Sequence, residues 1–381
     1  MTRRNIFATL GGIVAVGAII GVVAPYLQNL GNPANMGICV ACMERDIAGA
    51  IGLHRAGVVQ YLRPEIMGFV LGALVAALLF REFKPSGGSA PMTRFVLGVV
   101  SMIGALIFLG CPWRAILRLA GGDGNAILGL AGLGAGVWIG TMFFRKGYSL
   151  GRSYRQTIAT GLMLPLIMFG LLALRLIFPP LEGAEKSGFI FYSLQGPGAA
   201  YAPLAVSLAA GLGIGFIAQR SRFCTMGAIR DLILFKQFHL MAGFLALLIV
   251  ALIVNIALGQ FNPGFEGQPV AHTLHFWNFA GMLMAGLAFA LAGGCPGRQL
   301  FMSGEGNSDA GVFVMGMIFG AALAHNWGLA SSPAGLGEYG AVAFFVGLAV
   351  CLGIGFANLK KLKVESPVPD LAPLKNSKIK A

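Results

Sequence analysis

The chain has 381 residues, of which 57% are hydrophobic and only 11% charged, with a formal net charge of +13. A mean hydropathy of +0.79 excludes an ordinary soluble domain, where about a quarter of the residues are charged. The positive balance reads as topology, because Lys and Arg collect on the cytoplasmic side of membrane proteins, and no nucleic-acid partner is expected.

In chain order, Met1-Thr2-Arg3-Arg4 before an apolar run from Gly11 is shaped like an export signal. With further apolar runs behind it, a retained first helix is expected. Full spans are predicted near residues 7–28, 62–80, 93–110, 125–144, 157–178, 199–218, 240–258, 275–293, 309–327 and 338–356, each close to the length of about 20 residues that crosses a bilayer core. Between them lie four stretches, about 35–57, 111–122, 222–236 and 296–304, too short and polar to span yet too apolar for loops. They are predicted to be re-entrant half-helices, which membrane depth tolerates only where they line a cavity or are buried in protein. Residues 360–381, with six lysines, read as a disordered basic cytoplasmic tail suited to anionic lipid.

The polar pieces repeat. Cys39 is followed six residues later by Arg45-Asp46, and Cys224 six residues later by Arg230-Asp231. G-C-P-W-R (Gly110 to Arg114) returns as G-C-P-G-R (Gly294 to Arg298), and G-G-D-G-N (Gly121 to Asn125) as S-G-E-G-N (Ser303 to Asn307). The first cysteine precedes the second by 72 residues in the front half and by 71 in the back half. One unit has been duplicated. Its first copy occupies 1–156 up to its fifth span, 157–198 holds that span and the connecting outer loop, and 199–359 is the second copy.

Lys and Arg report the sidedness. With the N-terminus cytoplasmic, the inner segments hold 20 of them and the outer segments 5, which supports ten spans with both termini inside. Five spans per copy is odd, so the second copy enters the membrane inverted. Many transporters have this arrangement, with the site at the repeat interface near the midplane. The expected fold is an all-α membrane protein of about ten transmembrane helices plus re-entrant half-helices, in two inverted repeats of five spans. Cys39 and Cys111 then approach from outside, Cys224 and Cys295 from inside.

The G-C-P-x-R motif has a local logic. Glycine allows a sharp turn at the end of a span, and proline suits the first helical position, where its missing N–H has no acceptor to lose. Each cysteine then sits at a half-helix N-terminus, beside free N–H groups and the positive end of the dipole. Arg114 and Arg298 add charge there, as Arg45 and Arg230 do beyond Cys39 and Cys224. Such a site favours an anion. A helix break around an inert thiol would explain one copy; two copies, each with an arginine, favour a site. Adjacent Arg and Asp point to different sides of a helix, so Arg45-Asp46 and Arg230-Asp231 are expected to find partners elsewhere. Asp123 and Glu305 are the expected partners of Arg114 and Arg298, since ionisable groups at membrane depth are usually paired.

Other candidates carry less. Cys42 completes C-V-A-C with Cys39, but no second pair or nearby histidine pair completes a zinc set, and it is read as accessory. Cys351 is expected in the core, while His272 and His275 are expected to face water. No metal and no cofactor is expected. Gly211-x-Gly213-x-Gly215 does not follow a strand, so it is no nucleotide fingerprint.

Together, R-S-R-F-C-T-M-G (Arg220 to Gly227), G-G-C-P-G-R (Gly293 to Arg298), G-C-P-W-R and the two C-x5-R-D pairs resemble the YeeE/YedE family of sulfur-transport membrane proteins, over about Gly31 to Phe356. The resemblance implies an α-helical inner-membrane protein with half-helices meeting in an hourglass. It also implies uptake of a small sulfur anion such as thiosulfate past Cys39, Cys111 and Cys295, with Cys224 as a fourth. The first cysteine stands in M-G-I-C-V-A-C rather than R-S-x-F-C, closer to a branch associated with selenium metabolism. That branch implies a selenium species as substrate and a small cytosolic sulfurtransferase-like partner. The leading expectation is a permease, not an enzyme, in which four thiols form a ladder. The alternative is a membrane thiol relay passing sulfur or selenium as a persulfide or selenosulfide. A channel for a soft metal cation ranks last, because arginines crowd the cysteines.

Overall fold

The computed structural model describes residues 6–359; the predicted basic tail at 360–381 lies outside the described residues. The fold is almost wholly helical. After a short 3-10 turn at Ile6–Ala8 come α1 (Leu10–Asn29), α2 (Val40–Ala50), α3 (Pro64–Leu79), α4 (Pro91–Phe108), α5 (Pro112–Ala120), α6 (Asn125–Arg145) and α7 (Ile158–Ile177). They are followed by α8 (Leu204–Ser221), α9 (Thr225–Phe235), α10 (His239–Ala257), α11 (His275–Ala292), α12 (Pro296–Gly304), α13 (Ser308–Asn326) and α14 (Gly340–Ala357). Two small antiparallel pairs complete it, Ser86–Gly87 with Tyr154–Arg155 and Lys186–Ser187 with Ile190–Phe191.

Among the described residues, nine helices are long and apolar enough to cross a membrane. The predicted span at 62–80 is α3, apolar but only 16 residues long. The chain is an all-α membrane protein. The four stretches expected as half-helices are α2, α5, α9 and α12, of 11, 9, 11 and 9 residues.

Local chemistry sets the helix ends. Thr9 Oγ1 accepts from Gly12 N at 3.1 Å to open α1, and Asn307 Oδ1 accepts from Ala310 N at 2.9 Å to open α13, each satisfying a backbone donor that a helix leaves unpaired. Proline stands at the start of α3, α4, α5 and α12, where it costs no hydrogen bond.

Small residues then bring the long helices into contact. α1 packs on α10, α3 on α8, α4 on α13, and α6 on α11, while α4 and α11 cross each other. A Cβ built on Gly104 would lie 2.7 Å from Gly281 O, and one on Gly281 would lie 2.8 Å from Gly104 O. Only glycine permits that approach, the device membrane helices use in the absence of a hydrophobic drive between them. Close approaches also give direction. Gly104 meets Gly281 and Ala285 while Arg94 Nη1 donates to Ala292 O, so α4 and α11 run antiparallel. Gly17 meets Gly243 and Gly21 meets Leu247 and Ala251, so α1 and α10 run parallel. Gly211 meets Glu65 and Gly215 meets Phe69, which makes α3 and α8 parallel too.

Candidate functional site

Each of the four half-helices begins immediately after a cysteine: Cys39, Cys111, Cys224 and Cys295 are the N-caps of α2, α5, α9 and α12. The Cys39 sulfur accepts from Cys42 N at 3.4 Å and the Cys224 sulfur from Gly227 N at 3.2 Å. Cys111 and Cys295 instead precede the prolines. The chain brings the cysteines together in two pairs, Cys39 Sγ to Cys111 Sγ at 3.8 Å and Cys224 Sγ to Cys295 Sγ at 3.7 Å. Two positive helix ends thus converge on each pair, a setting that favours a negative ligand.

The first pair is sealed. Cys39 is 0% and Cys111 1% exposed. Cys42 Sγ lies 3.6 Å from Arg114 Nη1, which makes a third thiol part of this cluster. Arg114 also donates to the carbonyls of Leu109, Pro269 and Val270, tying α5 to the segment between α10 and α11. The expected Arg114–Asp123 pair does not form: Asp123 is taken by Arg118 Nε at 2.6 Å. Arg118 sits one turn beyond Arg114 and over the Phe108 ring at 4.2 Å.

The expectation that Arg45-Asp46 would pair elsewhere is also corrected. Arg45 Nη2 curls back to Asp46 Oδ1 at 2.7 Å, because the long guanidinium arm reaches round the helix. Asp46 Oδ2 takes in addition Arg63 Nε at 2.8 Å, and Arg63 donates to Pro197 O and Ala200 O at 2.7 and 2.9 Å. Arg63 thereby locks the segment before α8 over α2.

The second pair reaches a cleft through one of its members, Cys224 at 7% exposure, while Cys295 is 0% exposed. Cys224 borders a cleft of about 420 Å³, together with Arg222, Arg230, Asp231, His239 and Arg298. Ala8, at the start of α1, also lines it, so the cleft opens at the end of the molecule from which α1 begins. Arg230 pairs with its neighbour Asp231 at 2.8 Å, with side chains 31% and 17% exposed; here too the adjacent residues pair with each other. Arg298 meets Glu305 at 2.9 Å. Outside the helices, Glu82 accepts from Gln219 Nε2 at 2.8 Å and pairs with Arg220 at 2.7 Å. Burial raises its carboxyl, but those hydrogen bonds outweigh it and hold the group below the usual carboxylate range.

Trp113, two residues after Cys111 and 1% exposed, packs against residues next in sequence to the second pair. Its ring centroid lies 5.8 Å from Phe223, 5.9 Å from Phe69 and 6.0 Å from Phe301, and its Cζ2–Cε2 edge faces Gly297. Phe223 precedes Cys224 and Gly297 follows Cys295 by two.

Trp113, Arg63 and Glu44 are residues that sequence reasoning missed. The signal for Trp113 was present, as the one position at which G-C-P-W-R and G-C-P-G-R differ. Glu44 lies at 0% exposure with neither carboxyl oxygen hydrogen-bonded, in a helix whose counterpart carries Ile229, and only the alignment of the two copies could have marked it. His272, expected to face water, is 2% exposed and bonded through Nε2 to Ile107 O at 2.8 Å, because the segment before α11 folds against the end of α4. Cys351 is buried at 0% exposure in α14. No group of three or more metal-ligating side chains occurs among the described residues.

Residues 220–352, about a third of the chain, match a family model described as Sulphur transport. The matched part contains Cys224, Arg230, Cys295, Arg298 and Glu305. The thiosulfate transporter TsuA of Spirochaeta thermophila is 33% identical over 108 residues, which cover 27% of this chain and 31% of that protein.

Proposed function

We propose that this chain is a sulphur-transport protein, an inner-membrane permease for a small sulfur-containing anion, thiosulfate-like or its selenium counterpart. The anion would pass along Cys111 and Cys39 to Cys295 and Cys224, with both chain termini cytoplasmic. The observation that carries the proposal is that all four cysteines are N-caps of half-helices and meet in two pairs. The name of the matched relative supports the sulfur chemistry. The antiparallel course of α4 and α11, and the way α1 and α3 exchange partners with α8 and α10, support the inverted-repeat reading.

Thiols are weak donors, and the polarisable terminal sulfur of such an anion accepts their contacts. Helix N-termini and the arginines compensate for its lost hydration. Weak successive contacts suit passage, because the ligand must also leave. A cytosolic sulfurtransferase-like acceptor would receive the anion on the side of the open cleft.

Uptake of labelled thiosulfate into proteoliposomes tests this proposal. Cys111→Ala and Cys295→Ala should each slow uptake several-fold, the loss expected when a weak contact worth about 1 kcal/mol is removed. Uptake by both variants at the wild-type rate would sink the ladder. A stable sulfur adduct on Cys39, Cys111, Cys224 or Cys295 by mass spectrometry would instead favour the relay.

A further inference from the structure

Duplication should give like residues at like places, yet the one variable position of the motif holds Trp113 in one copy and Gly297 in the other. The structure explains why they differ. The two positions face each other: a Cβ built on Gly297 would lie 3.1 Å from Trp113 Cζ2 and 3.3 Å from Cε2. Two tryptophans could not share that space, and two glycines would leave a hole where four half-helices converge. One large ring against one absent side chain fills it once.

The ring joins the surroundings of the two thiol pairs. Trp113 follows Cys111 by two residues, and its neighbours Phe223 and Gly297 flank Cys224 and Cys295 in sequence. Phe69 and Phe301, themselves 5.9 Å apart, close the remaining sides. A second observation is independent of this packing. Trp113 Nε1 is buried without a hydrogen-bond partner, although a buried indole N–H normally finds one and leaving it unmade costs free energy. The indole edge against Gly297 contains Cε2, the carbon bonded to Nε1, so the unsatisfied donor lies by the start of α12, where the second pair begins.

We propose that Trp113 is both the barrier between the two thiol pairs and a hydrogen-bond donor to the anion that crosses it, and so a residue that selects the substrate. Gly297 is its socket. The ring keeps water and larger anions from joining the open cleft to the sealed pair, and its N–H gains its missing acceptor when a small anion passes. The donor role rests on the transport reading; the barrier role does not.

The test separates the two. Full-length protein in proteoliposomes is treated with a membrane-impermeant methanethiosulfonate on the side of the open cleft, and adducts are mapped by mass spectrometry. In the wild type Cys224 is modified, while Cys111 and Cys39 stay protected. Trp113→Ala should expose Cys111 and Cys39 to the same reagent, and a folded W113A in which both stay as protected as in the wild type overturns the barrier. If W113A does not fold, Trp113→Leu, which keeps an apolar side chain but fills only part of the space of the ring, should raise Cys111 labelling several-fold; unchanged labelling in a folded W113L overturns the barrier equally.

Trp113→Phe keeps a ring and removes the donor. It should leave Cys111 protected and raise the KM for thiosulfate several-fold with little change in maximal rate. An unchanged KM in W113F overturns the donor role. Wild-type vesicles that take up no thiosulfate at all, while labelling follows the expected pattern, would refute the transport reading and leave the barrier standing.

Discussion

The two cysteine pairs descend from one motif and end in opposite surroundings. Around Cys39 and Cys111 the charges are buried and doubly engaged: Asp46 between Arg45 and Arg63, Arg118 on Asp123, and Arg114 on carbonyls of the segment before α11. Around Cys224 and Cys295 the corresponding charges are partly exposed and border a cleft. The motif supplies thiols and helix ends to both. The covering segments differ, with 193–203 and 259–274 tied down over the first pair by Arg63 and Arg114. Two copies of one motif thus end with one pair sealed and the other reaching a cleft through Cys224, an asymmetry that the proposed permease would need in order to expose its ligand to one side at a time.

The largest expected effect separates the ion pairs. Arg118→Ala strands Asp123 at 0% exposure, and breaking such a buried pair costs about 3–5 kcal/mol. Arg298→Ala removes a partly exposed pair and should cost about 1 kcal/mol or less. Thermal unfolding of both variants in detergent should show the first much less stable, and equal losses would contradict the sealed and open assignment. A smaller effect concerns thiol access. Without any substitution, Cys224 should react with an impermeant thiol reagent roughly tenfold or more faster than Cys39, a ratio that about 1.4 kcal/mol of opening free energy already gives. Comparable rates would mean that the seal over the first pair opens freely.

The smallest effect is pH-dependent and lies at the open end. Glu82 is held below its ordinary range by Gln219 and Arg220, so its stabilising contribution is present above the ordinary carboxylate value and is lost as pH falls through the lowered one. The side chain is 36% exposed, and solvent screening keeps that contribution small. The difference in unfolding temperature between the wild type and Glu82→Gln should shrink as pH is lowered from 6 toward the acid limit. A constant difference would remove Glu82 from the charge balance of that end.

Much of this architecture was legible beforehand. Two of the half-helices, α5 and α12, could be found because Gly-Cys-Pro marks a break and restart in residue types alone, and α12 begins and ends as expected at 296 and 304. Charge partners were harder. Arg45 reaching its own neighbour depends on rotamer and on Arg63 arriving from another segment, and Arg118 displaces Arg114 at Asp123 because α5 ends where Asp123 turns back. His272 looked like a loop histidine until the loop was folded onto the carbonyl of Ile107. The Trp113–Gly297 fit lies beyond local pattern altogether, since it exists only once the two copies face each other.

The sulfur caps have a consequence for how this chain can be improved. Thr9, Thr157 and Asn307 open ordinary spans with oxygen acceptors at 3.1, 3.3 and 2.9 Å, the residue types that cap helices best. α2 and α9 are capped by sulfur at 3.4 and 3.2 Å, a poorer acceptor in the same position. Serine at 39 or 224 would therefore make a better-folded protein, and selection for stability alone would erase the thiols. Sulfur at these caps is what the proposed passage of a sulfur anion would ask for, at some expense to the helices it opens.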